Sequence, residues 1–169
     1  MAIPASEVRI ERAGPDGAGI AARLQVDFDT EFDVAPPPAA VLEARYRGLL
    51  ADPAAFVLFA WDEDARVGSA SGDRPVGYAL VTLRPTIYCD GPLAVLDELY
   101  VVPDRRDGGI GTRLLSGAVD EVRARGGGEM HINVDEIDTD TRRFYERHGF
   151  VNIEPGTDYR MLCYVRELE

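Results

Sequence analysis

Residues 93–125 hold the feature that most constrains what this chain can become. An apolar run, "LAVLDELYVVP", ends at Pro103; three glycines follow within four residues, Gly108, Gly109 and Gly111; then a stretch with helical periodicity begins. Glycine has the most backbone entropy to lose on folding, so helices usually avoid it. Placed where a helix starts, it lets other groups approach the bare backbone. The first N–H groups of a helix lack intrahelical partners, and the helix dipole places about half a positive charge there. A strand, a bare turn and a helix N-terminus therefore make a seat for an anion, phosphate above all. Arg105 or Arg106 can add charge toward a pyrophosphate. An ordinary tight turn is the plainer reading.

Composition narrows the classes. The chain has 169 residues, 46% of them hydrophobic, which suits one domain with a sizeable core. No apolar run approaches the ~20 residues that span a bilayer. "MAIPASEVRIERAG" lacks the basic start and apolar stretch of a signal peptide, so no membrane role is expected. Cys89 and Cys163 lie far apart, so neither a disulfide framework nor a cysteine metal site is expected, and a reducing cytoplasm is the expected compartment. The net charge of −12 disfavours nucleic-acid binding, which needs a basic face. It can attract cationic ligands, or merely keep the surface soluble. All 18 basic residues are arginine, which reads as the coding bias of a GC-rich genome.

Along the chain, "VRIERA" (8–13) alternates as a strand and "GPDG" (14–17) turns, with Asp16 a helix cap. Ile20, Leu24 and Phe28 predict a helix over 17–28, which "DFDTEFDVAPPP" (27–38) breaks. Pro38 opens a second helix, 38–50. "AFVLFAWD" (55–62), "VGYALVTL" (76–83) and 93–102 read as strands, with "EDARVGSASGDRP" a loop. The helix after the glycines runs to about Arg125, where "GGG" stops it. "MHINV" (130–134) is a strand, 138–148 a helix capped by Asp138 or Asp140, and "YRMLCYVREL" (159–168) a closing strand. This order predicts a single α+β or α/β domain over 1–169 with a mixed sheet.

Two phosphate motifs can be tested. The nucleoside-triphosphate loop needs a lysine, and the chain has none. The dinucleotide fingerprint G-x-G-x-x-G meets Leu114 where its third small residue belongs, and no further alternating βα units follow, although Asp135 imitates the ribose-binding acid. A third pattern fits better. "LYVVPDRRDGGIGTRLL" resembles the acetyl-coenzyme A signature of the GNAT acetyltransferases: a strand, a proline, then [Q/R]-x-x-G-x-[G/A], here Arg106 to Gly111. Downstream, "RRFYERHGF" (142–150) resembles the same family's F-Y-x-x-x-G-F segment, with the expected elements between the two.

The resemblance implies a GNAT fold: a twisted mixed sheet flanked by helices, whose central parallel strands, 93–102 and 130–134, splay apart. It implies acetyl-coenzyme A as co-substrate, no metal, and transfer of an acetyl group to an amine. The pyrophosphate would lie on the backbone of Arg106, Asp107, Gly108, Gly109, Ile110, Gly111 and Thr112. The amide of Val101 would polarise the acetyl carbonyl as a small oxyanion hole. Glu98 is the candidate base. As a strand residue it would share a face with Leu96 and Tyr100, opposite Asp97 and Leu99, and burial would raise its pKa. Tyr145 matches the family's tyrosine acid. The plainer alternatives are a carboxylate paired with a surface arginine and a core aromatic. His131 and His148 each lack a second histidine nearby, so no metal role is assigned.

Asp138 and Thr141 stand where the family often has Asn and Ala. Asn133 stands where members that acetylate protein N-termini often carry glutamate, which turns the reading away from ribosomal proteins. In "DFDTEFD" (27–33), Asp29, Glu31 and Phe32 would wall the acceptor site, an acidic aromatic surface suited to a polyamine or an aminoglycoside-like amine. A solvated loop is the plainer account of that run and of "VDEIDTD" (134–140). A non-catalytic acyl-coenzyme A or dinucleotide sensor is the alternative function. Exposed strands of such domains often pair, so a homodimer is an expected assembly.

Overall fold

A computed structural model describes residues 8–62 and 74–168. Nearly all of the loop expected at 63–75 therefore lies outside the described residues, as do residues 1–7. The elements are β1 (Val8–Arg12), α1 (Ala18–Glu31), α2 (Ala39–Ala51), β2 (Ala55–Asp62), β3 (Pro75–Arg84), β4 (Leu93–Val101), α3 (Ile110–Ala124), β5 (Glu129–His131) and α4 (Thr139–Arg147). Single 3₁₀ turns at Pro15–Gly17 and Pro103–Arg105 lead toward α1 and α3. The chain forms two compact units, one up to His131 and one from Ile132 onward.

The first unit is built on a five-stranded sheet in the order β1-β2-β3-β4-β5. Its first four strands are antiparallel, and β5 lies parallel to β4 after the α3 crossover. β2 is buried along its whole length apart from Trp61, which is why it reads as a continuous apolar run rather than an alternation. α1 and α2 cover one face: Ala21, Leu24, Leu42 and Tyr46 pack against Val57, Phe59, Tyr78, Leu80 and Tyr100. On the other face α3 buries Ile110, Leu114, Leu115, Ala118 and Val122, the stripe expected of a 3.6-residue period. Leu114 is fully buried, so truncation to Ala there would cost about 2–5 kcal/mol.

Four boundaries depart from the sequence reading. α1 does not break at Asp27 but continues to Glu31, so the acidic run is helical rather than a loop. Contacts four residues apart hold that extension: Gln25 to Asp29 at 2.9 Å, Thr30 to the Val26 carbonyl at 2.6 Å, and Phe28 against Phe32 with ring centroids 5.0 Å apart. Pro38 precedes α2 in an extended conformation instead of lying within it. β5 ends at His131, short of the expected Val134. The closing strand expected at 159–168 does not form; an isolated bridge, Ile153 with Arg160, is all that pairs near it. Tyr164, Val165 and Leu168 are each more than 80% exposed. Alternation is a local property, whereas a strand needs a partner ladder, and among the described residues none engages this segment.

In the second unit Asp138 caps α4, accepting from the Thr141 amide at 3.4 Å, which settles the choice between Asp138 and Asp140. Gly149 ends the helix at φ 87°, a conformation that favours glycine. The Gly149 amide donates to the Glu146 carbonyl and the Phe150 amide to the Tyr145 carbonyl, both at 3.1 Å. That is a Schellman cap, and the Phe150 ring 5.4 Å from Tyr145 is its hydrophobic contact. The spacing of Tyr145, Gly149 and Phe150 thus has a structural cause in addition to any chemical one.

Candidate active site

The chemistry-bearing residues of the first unit gather along β4. Leu80 of β3 faces Glu98, yet Val81 faces Leu96, so Asp97 is an extra residue in the ladder. This bulge interrupts the alternation. Glu98 keeps to the face of Tyr100, which packs under α1 and α2, but it does not share that face with Leu96 as simple alternation predicts. Asp97 turns toward the same side, where its carboxylate accepts from the Thr82 hydroxyl at 2.6 Å.

Glu98 is half-buried beneath α1. Burial, and then the charges of Asp29 and Asp97, push its pKa up to about 7, while the Gln25 amide pulls in the opposite direction. Around it lies a buried polar network. The Tyr78 and Tyr46 hydroxyls donate to Gln25 Oε1 at 2.6 and 2.8 Å, and Gln25 Nε2 donates to Asp29 Oδ1 at 2.9 Å. Burial raises the pKa of both tyrosines, so their hydroxyls stay protonated. Gln25, Tyr46 and Tyr78 are site residues that the sequence reading missed. The available signal was Gln25 itself, a polar residue four after Ala21 on the apolar face of α1.

At the other end of β4 the backbone takes over. Val102 N–H donates to the Val76 carbonyl at 2.9 Å. By the alternation of antiparallel ladders, Val101, opposite Gly77, turns its N–H and C=O away from β3. On that side β5 pairs only with Leu93–Val95, and among the described residues no strand pairs with that edge of β4 from Leu96 onward. The two parallel strands are therefore joined at one end and open at the other. The turn that follows has Asp107 at φ 62° and Gly109, the N-cap of α3, at φ 79°. Left-handed residues in such a turn direct successive amides toward one point, and such a nest suits an anion. Asp107 adopts this conformation without being glycine, a rare case for which Asp is among the better-suited side chains. Gly108 lies between Asp107 and Gly109, Gly111 and Thr112 follow in the first turn of α3, and Ile110 is buried.

Both arginines expected to add charge here are paired with carboxylates. Arg105 meets buried Asp62 at 2.9 Å. Arg106 holds Glu31 with two bonds, 2.6 and 2.7 Å, and its Nε donates to the Val101 carbonyl at 2.9 Å. Its guanidinium also lies 5.7 Å from the centre of the Tyr100 ring. Arg106 thereby ties the last turn of α1 to the end of β4, and its hydrogen bonds hold the Glu31 carboxyl below its ordinary pKa. Phe32, just past α1, is 56% exposed. A cavity of about 600 Å³ opens beside the end of β4, lined among others by Asp27, Thr30, Glu31, Tyr100 and Val102. The structure thus brings Asp29, Glu98 and Gln25 together beneath α1, and Glu31 with Arg106 at its end. Tyr145 belongs to the second unit, where it is buried between Phe144 and Phe150. His148 caps α4, with Nδ1 2.7 Å from the Phe144 carbonyl, and exposed His131 pairs with Glu129 at 2.5 Å.

Comparison with known proteins gives this geometry a family. A protein from Arthrobacter sp. FB24 described as an acetyltransferase is 42% identical, over 95% of this chain and 96% of that one, with a TM-score of 0.83. An aminoglycoside acetyltransferase from an uncultured soil metagenomic sample, solved with sisomicin, has a TM-score of 0.74 at 19% identity, over 97% of this chain and 98% of that one. Aminoglycoside N-acetyltransferase AAC(6')-Iy, solved with CoA, has a TM-score of 0.69 at 18% identity, over 92% and 95% of the two chains. At those identities the last two show a shared fold. A search of curated proteins returned no match. Residues 22–150 match the model of the acetyltransferase (GNAT) family, so the chain belongs to the GNAT acetyltransferases and is an N-acetyltransferase.

Proposed function

We propose that this N-acetyltransferase takes its acetyl group from acetyl-coenzyme A and delivers it to a primary amine on a small cationic molecule, a polyamine or an aminoglycoside-like compound. The observation that carries this reading is Glu98: a half-buried carboxyl with a pKa near 7, set on a bulge beside a second carboxylate. A protonated amine cannot attack a carbonyl, and a base that titrates near neutral pH can take its proton.

Acetyl-coenzyme A supplies an acetyl group activated as a thioester. The chain's own groups then divide the work. Amides of residues 106–112 bind the diphosphate, and the left-handed turn at Asp107 and Gly109 fits that load. The Val101 N–H, turned away from β3, stabilises charge on the acetyl oxygen. Asp29 attracts the ammonium group and Glu98 accepts its proton. Tyr145 carries the acid's role by its place in the F-Y-x-x-x-G-F segment, returning a proton to the departing sulfur. One domain over 1–169 would carry both this cofactor seat and this acceptor wall. The acidic turn of α1 suits a polycation, as does the fold shared with a protein solved with sisomicin.

Release of coenzyme A thiol with a panel of amines tests the reading. Polyamines or aminoglycosides are expected to turn over, with kcat rising as pH increases through about 7, because Glu98 must be deprotonated to act. Binding of acetyl-coenzyme A without turnover of any amine would make the chain a sensor instead.

A further inference from the structure

We propose that Gln25 is the positioning residue of this site: its amide, oriented by Tyr46 and Tyr78, holds Asp29 and Glu98 as a pair of carboxylates for a single ammonium group. The proposal rests on Glu98 being the base, as argued above. Gln25 is 8% exposed and sits on the core face of α1 among Ala21, Ala22 and Leu24. A buried amide is costly unless its donors and acceptors are satisfied. Here its carbonyl accepts from two tyrosine hydroxyls, at 2.6 and 2.8 Å, both on buried side chains. A carboxylate can only accept, so the bond to Asp29 at 2.9 Å must come from the amide nitrogen. The carboxylate therefore distinguishes the two ends of Gln25: a flipped amide would lose the Asp29 bond and set its oxygen against a carboxylate.

The nitrogen end faces the acids, and it opposes what every other neighbour does to Glu98. Burial, Asp29 from α1 and Asp97 from β4 all favour the protonated form of Glu98; Gln25 favours the charged form. Tyr46 of α2 and Tyr78 of β3 face the same cluster as neutral hydroxyls. The charge of Asp29 disfavours the charged form of Glu98, and Gln25 works against that effect. Gln25 holds the Asp29 carboxyl in place for the incoming ammonium and favours the charged form of Glu98, which can then take its proton. Without Gln25, Glu98 would hold a proton at neutral pH and Asp29 would be free to rotate.

The test compares Gln25→Met, which keeps the side chain's length and removes the amide, with Tyr78→Phe and Glu98→Gln. Carbon-13 carboxyl titration follows Glu98 directly. Steady-state kinetics use whichever amine of the panel turns over best. Gln25→Met is expected to raise the Glu98 midpoint, and the matching limb of the kcat profile, by about one pH unit. It should raise KM for the amine about tenfold while leaving KM for acetyl-coenzyme A within about twofold. Tyr78→Phe should shift the midpoint the same way by less, and it carries the test if Gln25→Met does not fold. A folded Gln25→Met protein with the parent's midpoint and amine KM would overturn the proposal. Full activity in Glu98→Gln would overturn the prior assignment of the base, a separate result.

Discussion

The two ends of β4 offer different chemical materials. At the bulge, Asp97 and Glu98 work through side chains, half-buried and surrounded by Asp29, Gln25 and two tyrosines. Past Val101 the chain works through its backbone: an amide turned away from β3, then a turn with two left-handed residues leading into α3. The contrast has a physical reason. A proton must be taken by a group whose affinity for it can be tuned, and only a side chain offers that. A diphosphate needs several donors at close range, and the main chain provides them once side chains are out of the way. Arg106 links the two ends, reaching from the turn to Val101 and to Glu31.

If this division holds, changes at the two ends should damage different kinetic constants. The largest effect is expected from Glu98→Gln, which keeps the shape and removes the proposed base. It should lower kcat by about 10²–10⁴-fold with KM for acetyl-coenzyme A unchanged. A loss confined to KM would break the contrast. The next largest is expected from Gly109→Val, which forces a β-branched residue into φ 79°. That strain is worth about 1–2 kcal/mol. Calorimetry should show acetyl-coenzyme A binding about tenfold more weakly, with residual kcat at saturation close to the parent's. Unchanged affinity in a folded variant would move the diphosphate away from this turn.

Much of this could be read in the residues themselves. β2 occupies 55–62 as its apolar run predicts, and α3 starts after Gly109 because three glycines and a proline leave little else. The turn was legible because backbone chemistry leaves a compositional mark. The bulge was harder, since a strand with one extra residue has no gap in its sequence; adjacent Asp97 and Glu98 between apolar neighbours were its trace. Gln25 was harder still: its importance lies in Tyr46 and Tyr78, which come from elements 21 and 53 residues away. The acidic run of α1 looked like a loop because charge runs usually are, and its helical state depends on pairings four residues apart. In the C-terminal segment the alternation was real, but pairing is a tertiary matter.

The smallest expected effect probes the link between the ends. Glu31 is held below its ordinary value of 4.5 mainly by its hydrogen bonds to Arg106. A carboxyl whose folded pKa is depressed adds stability above its unfolded pKa and loses it as pH falls through the folded value. Glu31→Gln should therefore melt below the parent at pH 7, and the difference should shrink as the pH falls below about 4.5. The pair is partly exposed, so screening limits its worth to about 0.2–1 kcal/mol. That corresponds to roughly 1–3 °C in Tm for a chain of this size. A difference that stayed constant across that range would mean that Glu31 acts by packing rather than by charge. Arg106 would then be held at the end of β4 by the Val101 carbonyl and the Tyr100 ring without help from α1.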